Sequence, residues 1–221
     1  DICLPSKGME AIPRQLASAL DPARIRLETR VVSLGENKVI LATGATLSAP
    51  KIVLAVDQFQ ASNLLGFPVK PKTKKVTTLY FECASPPTGE SVLFLNGENS
   101  GPVMNMCVPS NVCESYAPQG RALVSCSVLD HDFDQDEILV HNVLGQMKEW
   151  FGGEVDAWRH LRTYEISNAL PVQNPPIQML PPKPSPVRPG VYQCGDYCGI
   201  ASIQTALQSG RILGESLAGE I

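Results

Sequence analysis

Apolar and polar positions change period several times along the chain. From Ser202 the apolar residues fall at Ile203, Ala206, Leu207, Gly210, Leu213 and Leu217, a spacing that predicts a helix with one buried face. Just before it, residues 191–194 are a short β-prone run and Gly195-Asp196 is a turn pair. The end of the chain therefore predicts strand, turn and helix. Gly195 is expected to let the backbone turn sharply, Ser202 to cap the helix, and Ala206 with Gly210 to admit a close backbone neighbour.

Further upstream, "EAIPRQLASAL" places Ile12, Leu16 and Leu20 at helical spacing, with Pro13 near the helix start. Residues 24–56 switch to β-rich runs, "IRLETRVVSL", "NKVILAT" and "KIVLAV", joined by "GEN" and "GATLSAP". They predict a small antiparallel meander feeding a final buried strand, with a short helix after Asp57. From residue 72, "KKVTTLYFEC", "SVLFLN", "PVMNMCV" and "RALVSCSVL" read as strands separated by Pro- and Gly-bearing turns. The clearest long helix follows in "DQDEILVHNVLGQMKEWFG": Asp134 to Glu137 make its start acidic, Ile138, Val143, Leu144, Met147 and Phe151 share a face, and Gly152 ends it. "WRHLRTYEISNALPV" returns as a strand, and the proline-rich residues 171–189 predict an extended surface crossing. A sheet covered by a helix is the simplest packing for this block.

A chain of 221 residues holds one large domain or two small ones, and its hydrophobic fraction of 43% is that of a soluble globular protein. No apolar run reaches the length of a membrane span. A net charge of −4 with scattered Lys and Arg leaves no footprint for nucleic acid, and "KPKTKK" at residues 70–75 reads as a solvated loop. The seven cysteines include no C-x-x-C pair, which points to free thiols in a reducing compartment, cytoplasm or plastid stroma. Cys194 and Cys198 bracket the Gly-Asp turn, so a disulfide-exchange pair is an alternative there. His131, His141 and His160 lie far apart and show no metal-ligand spacing.

The terminal strand–turn–helix suits a ligand as well as it suits an ordinary connection. A helix start directs unpaired N–H groups at an electron-rich atom, and the Asp196 carboxylate can accept from a ribose-like or ribityl hydroxyl.

Taken in order, "PSKGMEAIPRQLASAL" at residues 5–20, the meander "IRLETRVVSL" continuing to "APKIVLAV", and "GVYQCGD" with "SIQTALQSGR" resemble the second half of a flavin-dependent amine oxidase or phytoene desaturase-type oxidoreductase, the superfamily that includes protoporphyrinogen oxidase. The resemblance covers nearly the whole chain, although residues 72–165 match only in texture. It implies an α/β fold of mixed α+β character, an incomplete Rossmann-like FAD-binding domain with an inserted mixed-sheet substrate domain. Residues 1–56 would be FAD-domain sequence, 57–165 the substrate domain, and 166–221 the return to the FAD domain.

The same resemblance implies that Val31 meets the adenine end of FAD through its backbone and that Gly195 and Asp196 hold the ribityl and pyrophosphate region. Ala201, Ser202 and Ile203 would direct N–H groups at the flavin pyrimidine edge. Lys75 is the nearest match to the lysine that amine-oxidase-like members bridge through water to flavin N5, and Tyr80 and Tyr164 are candidates for lining the substrate cavity. No cysteine stands where some members attach flavin covalently, so FAD is expected to be non-covalent. The family's G-x-G-x-x-G turn and the acidic residue that follows it are absent from these 221 residues. The expectation is therefore a fragment, inactive and flavin-free alone, whose dinucleotide-binding segment is supplied in cis or in trans. The expected activity is hydride transfer from an apolar or amine small-molecule substrate to flavin. The alternative is a non-catalytic binding or assembly subunit that keeps a degenerate flavoprotein fold.

Overall fold

β-Strands with alternating buried residues dominate the middle of the chain. The computed structural model describes residues 3–98, 100–129, 136–177, 179, 181 and 184–219. The chain packs as two units, one of residues 1–25 with 75–167 and one of residues 26–74 with 168–221. These limits differ from the divisions after 56 and 165 read from the sequence. Residues 1–25 join the first unit, where the Ser115 hydroxyl donates to Ser6 O at 2.6 Å and the Tyr116 hydroxyl to Pro5 O at 3.0 Å.

In the first unit, β5 (Thr73–Cys83), β6 (Phe94–Leu95), β7 (Val103–Cys107), β8 (Ala122–Leu129) and β9 (Arg159–Pro171) form a five-stranded sheet in the order β6-β7-β8-β5-β9. β5 and β9 run on into the second unit at their outer ends. β5 pairs antiparallel with β8 so that Thr77, Leu79, Phe81 and Cys83 stand opposite Val128, Cys126, Val124 and Ala122. All eight are buried, which is what a period of two produces when one sheet face is covered. The cover is α4 (Asp136–Phe151), through Leu139, Val143 and Met147. Ile138, expected on that face, is 54% exposed, because the apolar stripe runs one position later through Leu139. The acidic start expected at Asp134, like His131, lies outside the described residues. Gln146 on α4 is buried and holds β7: its Oε1 accepts from Val103 N at 2.7 Å, while its Nε2 donates to Ser100 O at 3.0 Å. Two further helices belong here. α1 (Ala11–Ser18) is shorter than the pattern predicts and leaves Leu16 and Leu20 exposed, and α3 (Pro109–Val112) is a single turn.

In the second unit, β1 (Val31–Gly35), β2 (Lys38–Leu41) and β3 (Thr46–Ser48) are the antiparallel meander, whose third strand lies within the segment read as a linker. β4 (Ile52–Leu54) leaves the meander and pairs in parallel with β10 (Val191–Gln193). Gly190 feeds β10 with φ +71°, and a Cβ there would stand 2.8 Å from Pro50 O, so the position requires glycine. α2 (Gln58–Leu65) follows β4, with Asp57 Oδ1 accepting from Gln60 N at 2.9 Å and Gly66 closing it at φ +66°. Leu54, Leu65 and Val191 form the buried centre. α5 (Ile203–Ala218) ends the chain.

Candidate functional site

Parallel strands β4 and β10 end side by side, as Gln193↔Leu54 in register and the Cys194 N–H donating to Leu54 O at 3.0 Å show. Open α/β sheets hold ligands at such carboxyl ends. Asp57 follows one strand and Asp196 the other, and Asp57 is engaged as the α2 cap. Asp196 opens the single 3₁₀ turn Asp196–Cys198; its carboxylate is half-buried and has no hydrogen-bond partner among the described residues. A half-buried carboxylate without a donor is poorly satisfied by the protein and suits a hydroxyl-bearing ligand.

Gly195 acts differently from the expected sharp turn. Its φ of 163° and ψ of 179° are extended backbone that any residue adopts. What excludes a side chain is Tyr197, whose ring carbon Cε1 would stand 2.5 Å from a Cβ. The Gly195 N–H is also taken, donating to Ser209 Oγ at 3.0 Å. Burial is the first cause that raises the Tyr197 phenol well above its ordinary range, with the neighbouring Cys198, Cys194, Asp196 and Asp57 adding to it. Tyr197 is therefore a neutral donor at physiological pH.

Ser202 caps α5 as expected, accepting from Thr205 N at 3.1 Å. The N–H groups of Ser202 and Ile203 find no acceptor among the described residues. The N–H of Ala201 does: it donates to Gln173 Oε1 at 3.1 Å, while Gln173 Nε2 donates to Gly199 O at 2.6 Å. Nothing in the sequence marks Gln173 for this role, because a glutamine in a proline-rich run carries no local signal for a contact across the unit. The expected buried face of α5 is also displaced. Thr205, Ser209 and Leu213 are buried, Ile203 is 53% and Leu207 45% exposed, and a Cβ on Gly210 would meet nothing. Beside these groups lies a concavity of about 350 Å³, lined in part by Gln58, Gln173, Asn174, Gln193 and Tyr197.

Cys194 and Cys198 are free, and burial raises both thiols, which keeps them protonated and unsuited to exchange. Among the described residues no group of three metal-ligating side chains occurs, and no helix is long and apolar enough to cross a membrane.

Val31 opens β1, an outer strand of its sheet, with a bulge between Val31 and Ser33; among the described residues no strand pairs with its far side. In the first unit, Lys75 is half-buried and shares the strand alternation of Thr77, Leu79 and Phe81. Tyr80 and Tyr164 stand on the opposite, open face, their rings edge to face at 5.8 Å and 87°. They floor an apolar groove of about 470 Å³ with Thr78, Leu123, Leu161 and Ile166.

The sequence matches the family model described as flavin containing amine oxidoreductase over residues 1–213. The chain belongs to that family. Membership in the flavin containing amine oxidoreductases supports flavin as the cofactor. Similar solved structures include a protein from Exiguobacterium sp. 255-15 provisionally assigned as a protoporphyrinogen oxidase, with TM-score 0.72, 18% identity, and coverage of 98% of this chain and 52% of that one. An oxidoreductase from Methanosarcina mazei has TM-score 0.61 and 15% identity, with coverage of 84% and 49%. The chain thus spans about half the length of these structures, and its mixed α/β arrangement is a partial flavoprotein fold. No curated protein sequence matches it.

Proposed function

We propose that this chain supplies the second half of an FAD-dependent oxidoreductase that takes a hydride from an apolar or amine small molecule. Asp196 carries the proposal. It is a half-buried carboxylate without a donor among the described residues, set shortly after a parallel strand and a few residues before a helix start whose first N–H groups find no acceptor among them. That combination fits a polyhydroxylated chain ending in a ring edged with hydrogen-bond acceptors, as the ribityl flavin of FAD is.

In this reading Asp196 accepts from a ribityl hydroxyl. Gly195, pinned by Ser209 and pressed by Tyr197, keeps the strand end free of a side chain that would push the turn away. The Ser202 and Ile203 N–H groups face the pyrimidine edge, and Gln173 holds residues 199–201 in place for them. The outer backbone of β1 at Val31 meets adenine. The bound flavin supplies the hydride-accepting chemistry; the protein's share is to bind, orient and exclude water. The sheet unit holds the substrate on the face of Tyr80 and Tyr164, and Lys75, which shares the alternation of the opposite face, is given no step. The pyrophosphate needs a glycine-rich turn that these 221 residues lack, so a segment outside them contributes it, in cis or in trans.

The test is a visible spectrum of the whole protein before and after denaturation in acid. Flavin absorption that precipitation of the protein leaves in the supernatant is the expected result and shows non-covalent FAD. A folded whole protein with no affinity for added FAD overturns the proposal and favours the non-catalytic subunit.

A further inference from the structure

The open face of the five-stranded sheet carries a cation as well as its aromatic floor. The Arg162 guanidinium lies over the Tyr164 ring, 5.2 Å from its centroid, and lines the same groove. Among the described residues it makes no ion pair, and no Asp or Glu lines the groove. The floor is exposed although apolar: Tyr164 is 47%, Ile166 46% and Leu161 42% accessible.

The course of β9 explains how these side chains meet. His160 packs against Phe81 on the covered face, centroid to centroid 5.5 Å, while Tyr164 meets Tyr80 on the open face. Both are even-numbered positions of one strand, so the alternation breaks between them, where the His160 and Thr163 side chains hydrogen-bond at 3.0 Å. Such an irregularity aims Leu161 and Arg162 together into the groove instead of to opposite faces.

We infer that the groove takes a flat apolar molecule bearing a carboxylate, and that Arg162 selects it over an amine. The inference rests on the reading of the sheet unit as the substrate side of the site. An aromatic floor gives area and stacking without regard to charge, whereas an unpaired guanidinium favours a carboxylate through paired N–H donors and repels an ammonium group. The volume is that of a small-ligand site.

The test uses the whole flavoprotein and three matched probes, 2-naphthoate, 2-naphthylmethylamine and 2-naphthalenemethanol, titrated by calorimetry. The naphthoate should bind roughly tenfold or more tightly than the amine, with the alcohol between them. Arg162→Gln should erase that order, Arg162→Lys should keep its direction, and Tyr80→Ala should weaken all three alike. Equal or tighter amine binding, an order unchanged in Arg162→Gln, or no binding of any probe at millimolar concentration overturns the inference. Flavin absorbance of the same samples separates the two readings, since its absence counts against the cofactor proposal alone while the probe order still reports on the groove.

Discussion

The hydroxyl of Ser209, in the middle of α5, holds the backbone of Gly195 at the end of β10. Its oxygen accepts from Gly195 N at 3.0 Å and lies 3.0 Å from Gly195 O, with Ala206 O at the same distance. One small side chain thus fixes the strand end against the helix that follows it. Ser209→Ala should leave the Gly195 N–H without its acceptor and destabilise the second unit by about 1–2 kcal/mol. Amide exchange at Gly195 should accelerate roughly tenfold. Unchanged exchange there would mean that the bond does not hold the turn.

Asp196→Ala removes the charged acceptor while leaving the Gly195 anchor intact. In the whole protein FAD should bind roughly ten- to hundredfold more weakly, as measured by flavin fluorescence on titration. Parent-like affinity would return the Gly-Asp pair to an ordinary strand–helix connection.

Ile203→Pro addresses the helix start alone. Ile203 is the first residue of α5, a position where proline's fixed φ is compatible with a helix, so the substitution deletes one N–H and spares the Ser202 cap. The flavin midpoint potential should fall, because a donor that offsets negative charge on the reduced ring is gone. Affinity should change less than in Asp196→Ala. Circular dichroism of both variants checks that α5 persists.

The core thiols of the sheet unit give a pH dependence with a defined sign. Burial, followed by Glu154 and Glu82, pushes Cys83 up to about 11, and burial, followed by Cys107, pushes Cys126 up to about 12. The folded state therefore keeps these protons after the unfolded chain has lost them. Their contribution is complete below the unfolded thiol pKa near 9 and is lost as pH rises through about 11 to 12. Urea unfolding followed by tryptophan fluorescence should show stability falling between pH 8 and pH 10.5. A variant with Cys83→Ala and Cys126→Ala should fall less steeply, and equal slopes would remove the thiols as the cause.

Local rules made much of this structure legible in advance. Asp57 and Ser202 cap the helices they precede, and the alternation of β5 and β8 announces a sheet with one covered face, because caps and pleats act within a few residues. α5 resisted the same treatment. Its apolar residues are spaced for burial, but Thr205 and Ser209 take the buried face because their hydroxyls bond Ile200 O and the Gly195 backbone. A pattern that counts only apolar side chains has no means of seeing a polar face that satisfies backbone groups. Gln173 and Gln146 were equally hidden, since each acts on backbone remote in sequence. β3 is three residues of Thr, Leu and Ser without a buried member, too short and too exposed to register as a strand.

The pairing of β4 with β10 fixes the order in which the molecule can be assembled. The partner of Ile52 is Val191, and every strand of the five-stranded sheet is synthesised between them. On the ribosome β4 emerges before the sheet unit but cannot pair until β10 is made, whereas the meander and the five-stranded sheet already have all their strands by then. Loop-closure entropy grows only slowly with the length of the intervening chain, so the long separation costs little stability in the finished protein. It governs time instead: the β4–β10 pair closes after the five-stranded sheet is made, and until then this edge of β4 is open to the wrong partner.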